Sequence, residues 1–375
     1  MSKKSAPKEE AAMPAPTRRT CGTMRNHERL LRTVPGYRQA RDVSENYALR
    51  AVRWPQAGRV GITTIPVVVH VVYNTDLQNI SDSQIYSQID VLNADFRKKN
   101  ADISAVPPVF APLVDDARIE FELATIDPSG NPTSGITRTV TEVSEFDADD
   151  SIKSTTTGGA DAWPSDKYLN IWVAPNLYTI DQGQKVYLLG YAQFPGGPAV
   201  TDGVVILHSA FGTTGTAIAP FNLGRTTTHE IGHWLNLRHI WGDDGSGCSG
   251  SDFVADTPNQ GGENYGKPTF PRISCGNAPN GDMFMNYMDY VDDDSMMMFT
   301  REQIIRMQAT LDSARSLLGK TIIDGNILPK ENFKEWTKEQ IKDNPKDLIK
   351  DNLKDSPKEN PKDLPKDNPK DWIKE

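Results

Sequence analysis

Thr228-His229-Glu230-Ile231-Gly232-His233-Trp234-Leu235-Asn236-Leu237-Arg238-His239 is the stretch on which the reading of this chain turns. His229 and His233 are four apart, which puts them on one face of a helix, close enough to hold a single ion. Glu230, beside the first, is placed to act as a base on a water at that ion. His239 follows six residues after His233, past where such a helix could end. Half of the chain's six histidines fall within these eleven residues. The bland alternative is three buried histidines satisfied by hydrogen bonds.

Working outward toward the N-terminus, the sequence is rich in strand patterns. Ile62–Tyr73 (ITTIPVVVHVVY) is a β-branched run that predicts a buried strand, with Pro66 near its start. Ser81 opens a helix with Gln84 as capping-box partner and an Ile80/Ile85 staple, and Ile85, Ile89, Leu92 and Phe96 form its apolar stripe. Residues 118–125 alternate at period two, and 167–173 and 203–207 are further strands. Leu188–Phe194, ending in Pro195-Gly-Gly-Pro198, suits an edge strand. Residues 25–58 are charged and lack a core of their own, so they predict a segment that folds only against something else. Residues 1–20 predict disorder.

Toward the C-terminus, 240–299 is loop-rich. A last helix follows, with Thr300 as cap, Gln303 as box partner, a Phe299/Ile304 staple, and a run through Ile305, Leu311 and Leu318. From Pro329 the chain repeats a tetrapeptide of the PKDN and IKDN kind. Proline heads six copies, which forbids a continuous helix there and predicts a solvated, charge-balanced tail with no identifiable partner.

Charge is unevenly placed. Residues 1–58 carry 12 basic against 5 acidic side chains, the tail 329–375 carries 12 of each, and 59–328 carries 17 against 33. A basic head and acidic body fit cation binding, basic substrates, and docking of the one on the other. Nothing points to nucleic acid. No run approaches the length of a membrane span, and the N-terminus lacks the apolar core of a signal peptide. Of the three cysteines, Cys248 and Cys275 flank an Asp/Gly/Pro-rich insert and suggest a disulfide, which leaves Cys21 over.

His229 to His239 reads HExxHxxNxxH, which resembles the long zinc signature of the metzincins, HExxHxxGxxH. Asn236 stands at the family's glycine, and asparagine is the residue that best tolerates the left-handed turn needed there. Met285-Asn286-Tyr287-Met288-Asp289-Tyr290 looks like the methionine turn beneath the metal, with Met288 at its base. Together with HEIGHW, the two cysteines and the DTPN segment, these features resemble the pappalysin family, its ulilysin-like members in particular, over residues 59–320.

That resemblance implies a mixed α+β fold: a mostly parallel twisted sheet with an antiparallel edge strand and backing helices, a loop-rich C-terminal subdomain, and a cleft between them. The expected division is a prosegment 1–58, a catalytic subdomain 59–239 carrying the zinc helix, a second 240–328, and the tail. The expected activity is a zinc-dependent endopeptidase. His229, His233 and His239 would hold the metal, with Glu230 as general base and Tyr290 steadying the tetrahedral intermediate. Arg19-Thr-Cys21-Gly-Thr-Met24 looks like a cysteine switch, with Cys21 as a fourth zinc ligand in a latent zymogen; an inert thiol is the alternative.

Arg or Lys preference on the primed side of the scissile bond is also implied. Asp293, within Asp292-Asp293-Asp294, is the expected partner of that side chain, and the Gly58–Arg59 bond is the expected activation site. The Asp243–Asn259 loop is rich in hard oxygen donors, with Asp244, Ser251, Asp252, Thr257 and Asn259 as calcium candidates against a plain solvated loop. The expected setting is extracellular and the expected protein a monomer acting on protein or peptide substrates, with its own prosegment as inhibitor. The alternatives are an idle zinc-bearing binding module whose tail does the work, and a zinc amidase.

Overall fold

The structure is a computed structural model that describes residues 16–53, 61–245, 247–323 and 326–327. The expected activation bond Gly58–Arg59 and the tetrapeptide tail lie outside the described residues. Among the described residues no helix is long and apolar enough to cross a membrane.

The charged head forms helices α1 (Thr23–Thr33) and α2 (Tyr37–Arg53). The body opens with β1 (Ile62–Tyr73), followed by α3 (Asp82–Asp95), β2 (Ile119–Leu123), β3 (Ile136–Val140) and β4 (Phe146–Asp147). It continues with β5 (Leu169–Ala174), β6 (Leu177–Asp181), β7 (Gln184–Tyr187), β8 (Gly190–Ala192) and β9 (Val204–Leu207). Helix α4 (Arg225–Trp234), β10 (Tyr265–Gly266), β11 (Tyr290–Val291), α5 (Arg301–Asp312), β12 (Lys320–Ile323) and β13 (Asn326–Ile327) complete it.

The β-branched run of β1 organises the main sheet. Thr63–Val67 pairs in parallel with β2, Val69–Tyr73 with β3, and Val67–Val71 with β5 on the other side. β9 adds in parallel to β5, and β8 closes that edge antiparallel to β9. This is the expected mostly parallel sheet with an antiparallel edge strand, and β12 and β13 add a second antiparallel edge beside β1. The strand's continuous apolar run fits burial on both faces, and Val67, Val68, Val69, Val71 and Val72 are fully buried. One apolar core joins this sheet to α3, α4, the methionine-rich loops and α5.

Three local expectations need correcting. Ser81 caps α3 by accepting from the Gln84 amide at 3.2 Å. The Gln84 side chain, however, does not return to close a box; it bonds to His208 O and Phe211 O at 3.2 and 2.8 Å and pins that loop instead. At α5 the full Thr300/Gln303 box forms, but the helix stops at Asp312 rather than running to Leu318, which is buried after a turn. The third concerns the head: residues 16–20, expected to be disordered with the rest of 1–20, are described and bury Arg19, and the segment is helical from Thr23. Its buried Thr23, Asn26 and Leu30 on α1, and Tyr37, Arg41, Ser44 and Ala48 on α2, pack against the body. It borrows a core, as its composition requires.

Candidate active site

Helix α4 presents His229, Glu230 and His233 in a fully buried environment. The chain must then reverse to bring back His239. Asn236 makes that turn at φ 77°, left-handed as its position predicted. His233 Nδ1 donates to Leu237 O across the turn at 2.8 Å, which locks the reversal to the helix.

The three imidazoles converge. His233 Nε2 lies 3.1 Å from His229 Nε2 and 3.0 Å from His239 Nε2. Each Nδ1 has an acceptor: Tyr287 O at 2.7 Å for His229, Leu237 O for His233, and Asp243 Oδ1 at 2.5 Å for His239. With Nδ1 donating, every Nε2 is a bare lone pair aimed at the other two. Burial, then the neighbouring imidazoles, push His229 and His233 well below the ordinary histidine range, so protonation does not relieve the clash. Three imidazole nitrogens meeting at one point make a ready site for a cation. The Cys21 sulfur completes the set, with all four donor atoms within 4.8 Å of one another. Three imidazole nitrogens and a sulfur match the donor chemistry of zinc.

Glu230 projects beside the cluster. Its Oε2 accepts from Thr23 Oγ1 at 2.9 Å and from the Cys21 thiol at 3.4 Å. Burial raises its carboxyl to about 7, against the lowering effect of those two hydrogen bonds. Burial and then the Glu230 charge push the Cys21 thiol up, so only a nearby cation would ionise it.

Met288 forms the floor. A Cβ on Gly232 would lie 2.5 Å from Met288 Sδ, so this glycine in the signature is the space the methionine needs. The Tyr290 ring stands against His239 at 5.0 Å and Trp241 at 4.8 Å between ring centroids. A cleft of about 290 Å³ opens between head and body, lined by Cys21, Met24, Glu28, Asp243 and Tyr290 among others.

The head lies along edge strand β8. Leu189 N donates to Thr20 O at 3.0 Å, Gly22 N to Gly190 O at 2.9 Å, and Ala192 N to Thr23 Oγ1 at 2.8 Å. A Cβ on Gly22 would meet Leu188 Cδ1 at 2.7 Å, so the glycine after Cys21 lets the backbone come this close.

Residues 153–312 match the family profile of peptidase M43, pregnancy-associated plasma protein-A. An extracellular metalloprotease of Arthroderma gypseum is 30% identical over 252 residues, covering 65% of this chain and 71% of that one. The chain belongs to the pappalysin family. A further extracellular metalloprotease, from Colletotrichum graminicola, is 42% identical over 128 residues, and the match spans only 44% of its length. Tannerella forsythia promirolysin, solved as a mutant, is 49% identical with a TM-score of 0.71, covering 80% of this chain and 96% of that one. Mature mirolysin from the same organism, solved with a cleaved peptide, is 53% identical with a TM-score of 0.64, over 68% and 95% of the two chains.

Within this pappalysin fold the remaining expected residues fare differently. Cys248 and Cys275 form a disulfide, with sulfurs 1.98 Å apart. Asp293 is fully buried, whereas Asp294 turns outward to Lys267. The calcium candidates have local partners: Asp244 accepts from Ser249 and Gly250, Asp252 from Thr257 at 2.8 Å, and Asn259 donates to Cys248 O.

Arg19 is the residue that sequence reasoning left without a role. Its guanidinium reaches Asp293 Oδ1 at 2.5 Å, Val291 O at 3.1 Å and Thr226 Oγ1 at 3.0 Å. Asp293 Oδ2 is occupied by Leu223 N at 2.8 Å. Thr23 and Asp243 were missed as well. A carboxylate four residues after a ligand histidine was a usable signal for Asp243; no local pattern marks Thr23.

Proposed function

We propose that the chain is the latent precursor of a zinc endopeptidase that cleaves before Arg or Lys. The observation that carries this reading is the convergence of three bare Nε2 atoms and the Cys21 sulfur on one point, with the Glu230 carboxylate beside it. His229, His233 and His239 would hold zinc throughout, and Cys21 only while the head is in place. When bound, zinc supplies Lewis acidity that makes a water nucleophilic near neutral pH. Glu230 takes the proton from that water as it attacks the scissile carbonyl and returns it to the leaving amine. Its raised carboxyl suits both halves of that transfer. Tyr290, beside His239, is positioned to donate to the developing oxyanion.

Latency in this reading has three parts. Cys21 would supply a fourth ligand to the metal, the Thr23 hydroxyl occupies Glu230, and Arg19 would fill the site of a substrate's basic side chain at Asp293. A buried carboxylate that already holds a guanidinium supports the expected P1′ preference. Arg59 of another copy fits the same site, so cutting at Gly58–Arg59 would be self-propagating. The head would then be the segment 1–58, and the cleft would lie between 59–239 and 240–328. The names of the relatives favour an extracellular setting.

Incubating purified precursor with zinc and calcium and mapping the new termini tests this. Chelator-sensitive cleavage with a new terminus at Arg59 is expected, and no cleavage of itself or of a peptide library would sink the reading. We further propose calcium in the 243–259 loop. There, a rise in melting temperature with calcium should vanish in Asp252→Asn.

A further inference from the structure

The plug at the metal is not the head's only grip. Helix α2 lays Tyr37, Arg41, Ser44 and Ala48, one stripe at spacings of four, three and four, against α5 and the Asn236 turn. Tyr37 is 1% and Arg41 4% exposed. Arg41 Nη1 donates to Asn236 Oδ1 at 2.7 Å and to Pro195 O at 3.3 Å, and its guanidinium lies 4.7 Å over the Phe194 ring. Its Nη2 donates to Glu45 Oε1 at 2.7 Å. The other Glu45 oxygen accepts from Arg306 Nη2 at 2.7 Å, and the same Arg306 nitrogen donates to Asn236 O at 3.1 Å.

Arg306 belongs to the body, on α5, and its side chain is 0% exposed. Its Nε and Nη1 have no hydrogen-bond partner. Phe253 offers only a ring 5.7 Å away. Glu45 is therefore the carboxylate that this buried cation uses, and it comes from the head. Burial opposes the Glu45 charge, but Arg306 and then Arg41 outweigh it and hold the carboxyl below its ordinary range. None of these contacts is to Cys21, Glu230 or a histidine of the cluster.

We propose that the face formed by Asn236, Arg306 and α5 is a docking surface in its own right, whose occupant is the chain's own α2, read through Arg41 and Glu45. It holds the severed head on the body after the chain is cut between residues 53 and 61, independently of the thiol at the metal. The proposal rests on the reading of the head as a removable prosegment. The surface takes a helix with arginine and glutamate four apart, and in doing so braces the turn that carries His239. Removal of the carboxylate ion-paired with a buried charge is strongly unfavourable, so head release is resisted at this face even where the plug has been loosened.

The test uses the full-length chain with Glu230→Ala, to prevent self-digestion, and a site-specific protease sequence placed within residues 54–58. After cutting, head and body are followed by size exclusion and native mass spectrometry, with and without Cys21→Ala. The cut Cys21→Ala chain should keep its head. Adding Arg41→Met and Glu45→Gln should weaken retention on the order of 100-fold. Because those variants could misfold before cutting, a competition arm uses a synthetic peptide of residues 37–53. The peptide should speed head release from the cut parent chain, and its Glu45→Gln form should not. Equal release with and without the α2 substitutions, or equal competition by both peptides, overturns the proposal. None of these readouts needs turnover, so an inactive enzyme would refute the proposed function while leaving this surface standing.

Discussion

The head meets the body in two ways, and they differ in kind. In the proposed function the extended segment Arg19–Thr23, which touches Asp293 and Glu230, imitates what the site handles: Cys21 would stand where water does, Arg19 where a basic side chain does, and Thr23 where a proton goes. Helix α2 imitates nothing. It supplies a carboxylate to Arg306 and a donor to Asn236, groups that hold the site's shape. Blocking chemistry and bracing the scaffold are therefore separable functions of one short head, and substitutions should divide along that line.

The largest effect belongs on the blocking side of that line, at the carboxylate that Thr23 and Cys21 cover. Glu230→Ala should lower kcat by about 10²–10⁴-fold, the usual contribution of a general base, while zinc content measured by metal analysis stays at one per chain. Near-normal turnover would remove Glu230 from the chemistry. Next comes Asp293. Asp293→Asn in the activated enzyme should cost about 2–5 kcal/mol in kcat/KM for peptides with Arg after the scissile bond, because a guanidinium would enter a buried site without its counter-charge. Peptides with Leu there should change little. Equal losses on both would mean that Asp293 supports structure and does not read substrate.

Cys21→Ala and Thr23→Val sharpen the blocking half itself. In the intact precursor, Cys21→Ala should raise peptide cleavage at least about tenfold, equivalent to ~1.4 kcal/mol of lost latch. Thr23→Val should raise it by less alone and add to Cys21→Ala, since the hydroxyl releases Glu230 and not the metal. Unchanged latency in the double variant would shift the burden of inhibition onto Arg19 and α2.

Much of this site was legible, Cys21 included through the family resemblance, but the rest of its lock was not, for a physical reason. The β1 run, the His229/His233 spacing, the Asn236 turn and the Thr300/Gln303 box are local patterns in which backbone geometry dictates residue type. The Arg19–Asp293 pair spans 274 positions, and no periodicity links such partners. The α2 stripe was invisible because two of its buried positions, Arg41 and Ser44, are polar, and a hydrophobic pattern cannot register a helix that buries charge against charge. The 243–259 loop was legible only as composition: Asp244 and Asp252 accept from nearby amides, a role that aspartates in turns take with or without an ion.

The smallest expected effect is a pH dependence confined to the bracing half. Glu45 has its carboxyl held below its ordinary value, burial being outweighed by Arg306 and Arg41. Such a group stabilises the docked state fully above the ordinary carboxylate value of about 4.3, and that contribution is lost as pH falls through the lower folded value. The arginines facing it, Arg306, Arg41 and Arg238, stay protonated across this window. His27 also faces Glu45 and, held down to about 3 by burial, adds an acid loss of its own, so the Glu45 share is the difference between the parent and Glu45→Gln. Retention of the severed head in the Cys21→Ala, Glu230→Ala background should therefore weaken several-fold between pH 5 and pH 3. In Glu45→Gln retention should start weaker and stay flatter, because an amide has no proton to gain. A slope of the same size in both proteins would place the acid sensitivity at His27 or another group, and would leave Glu45 without the pH signature of a bracing contact.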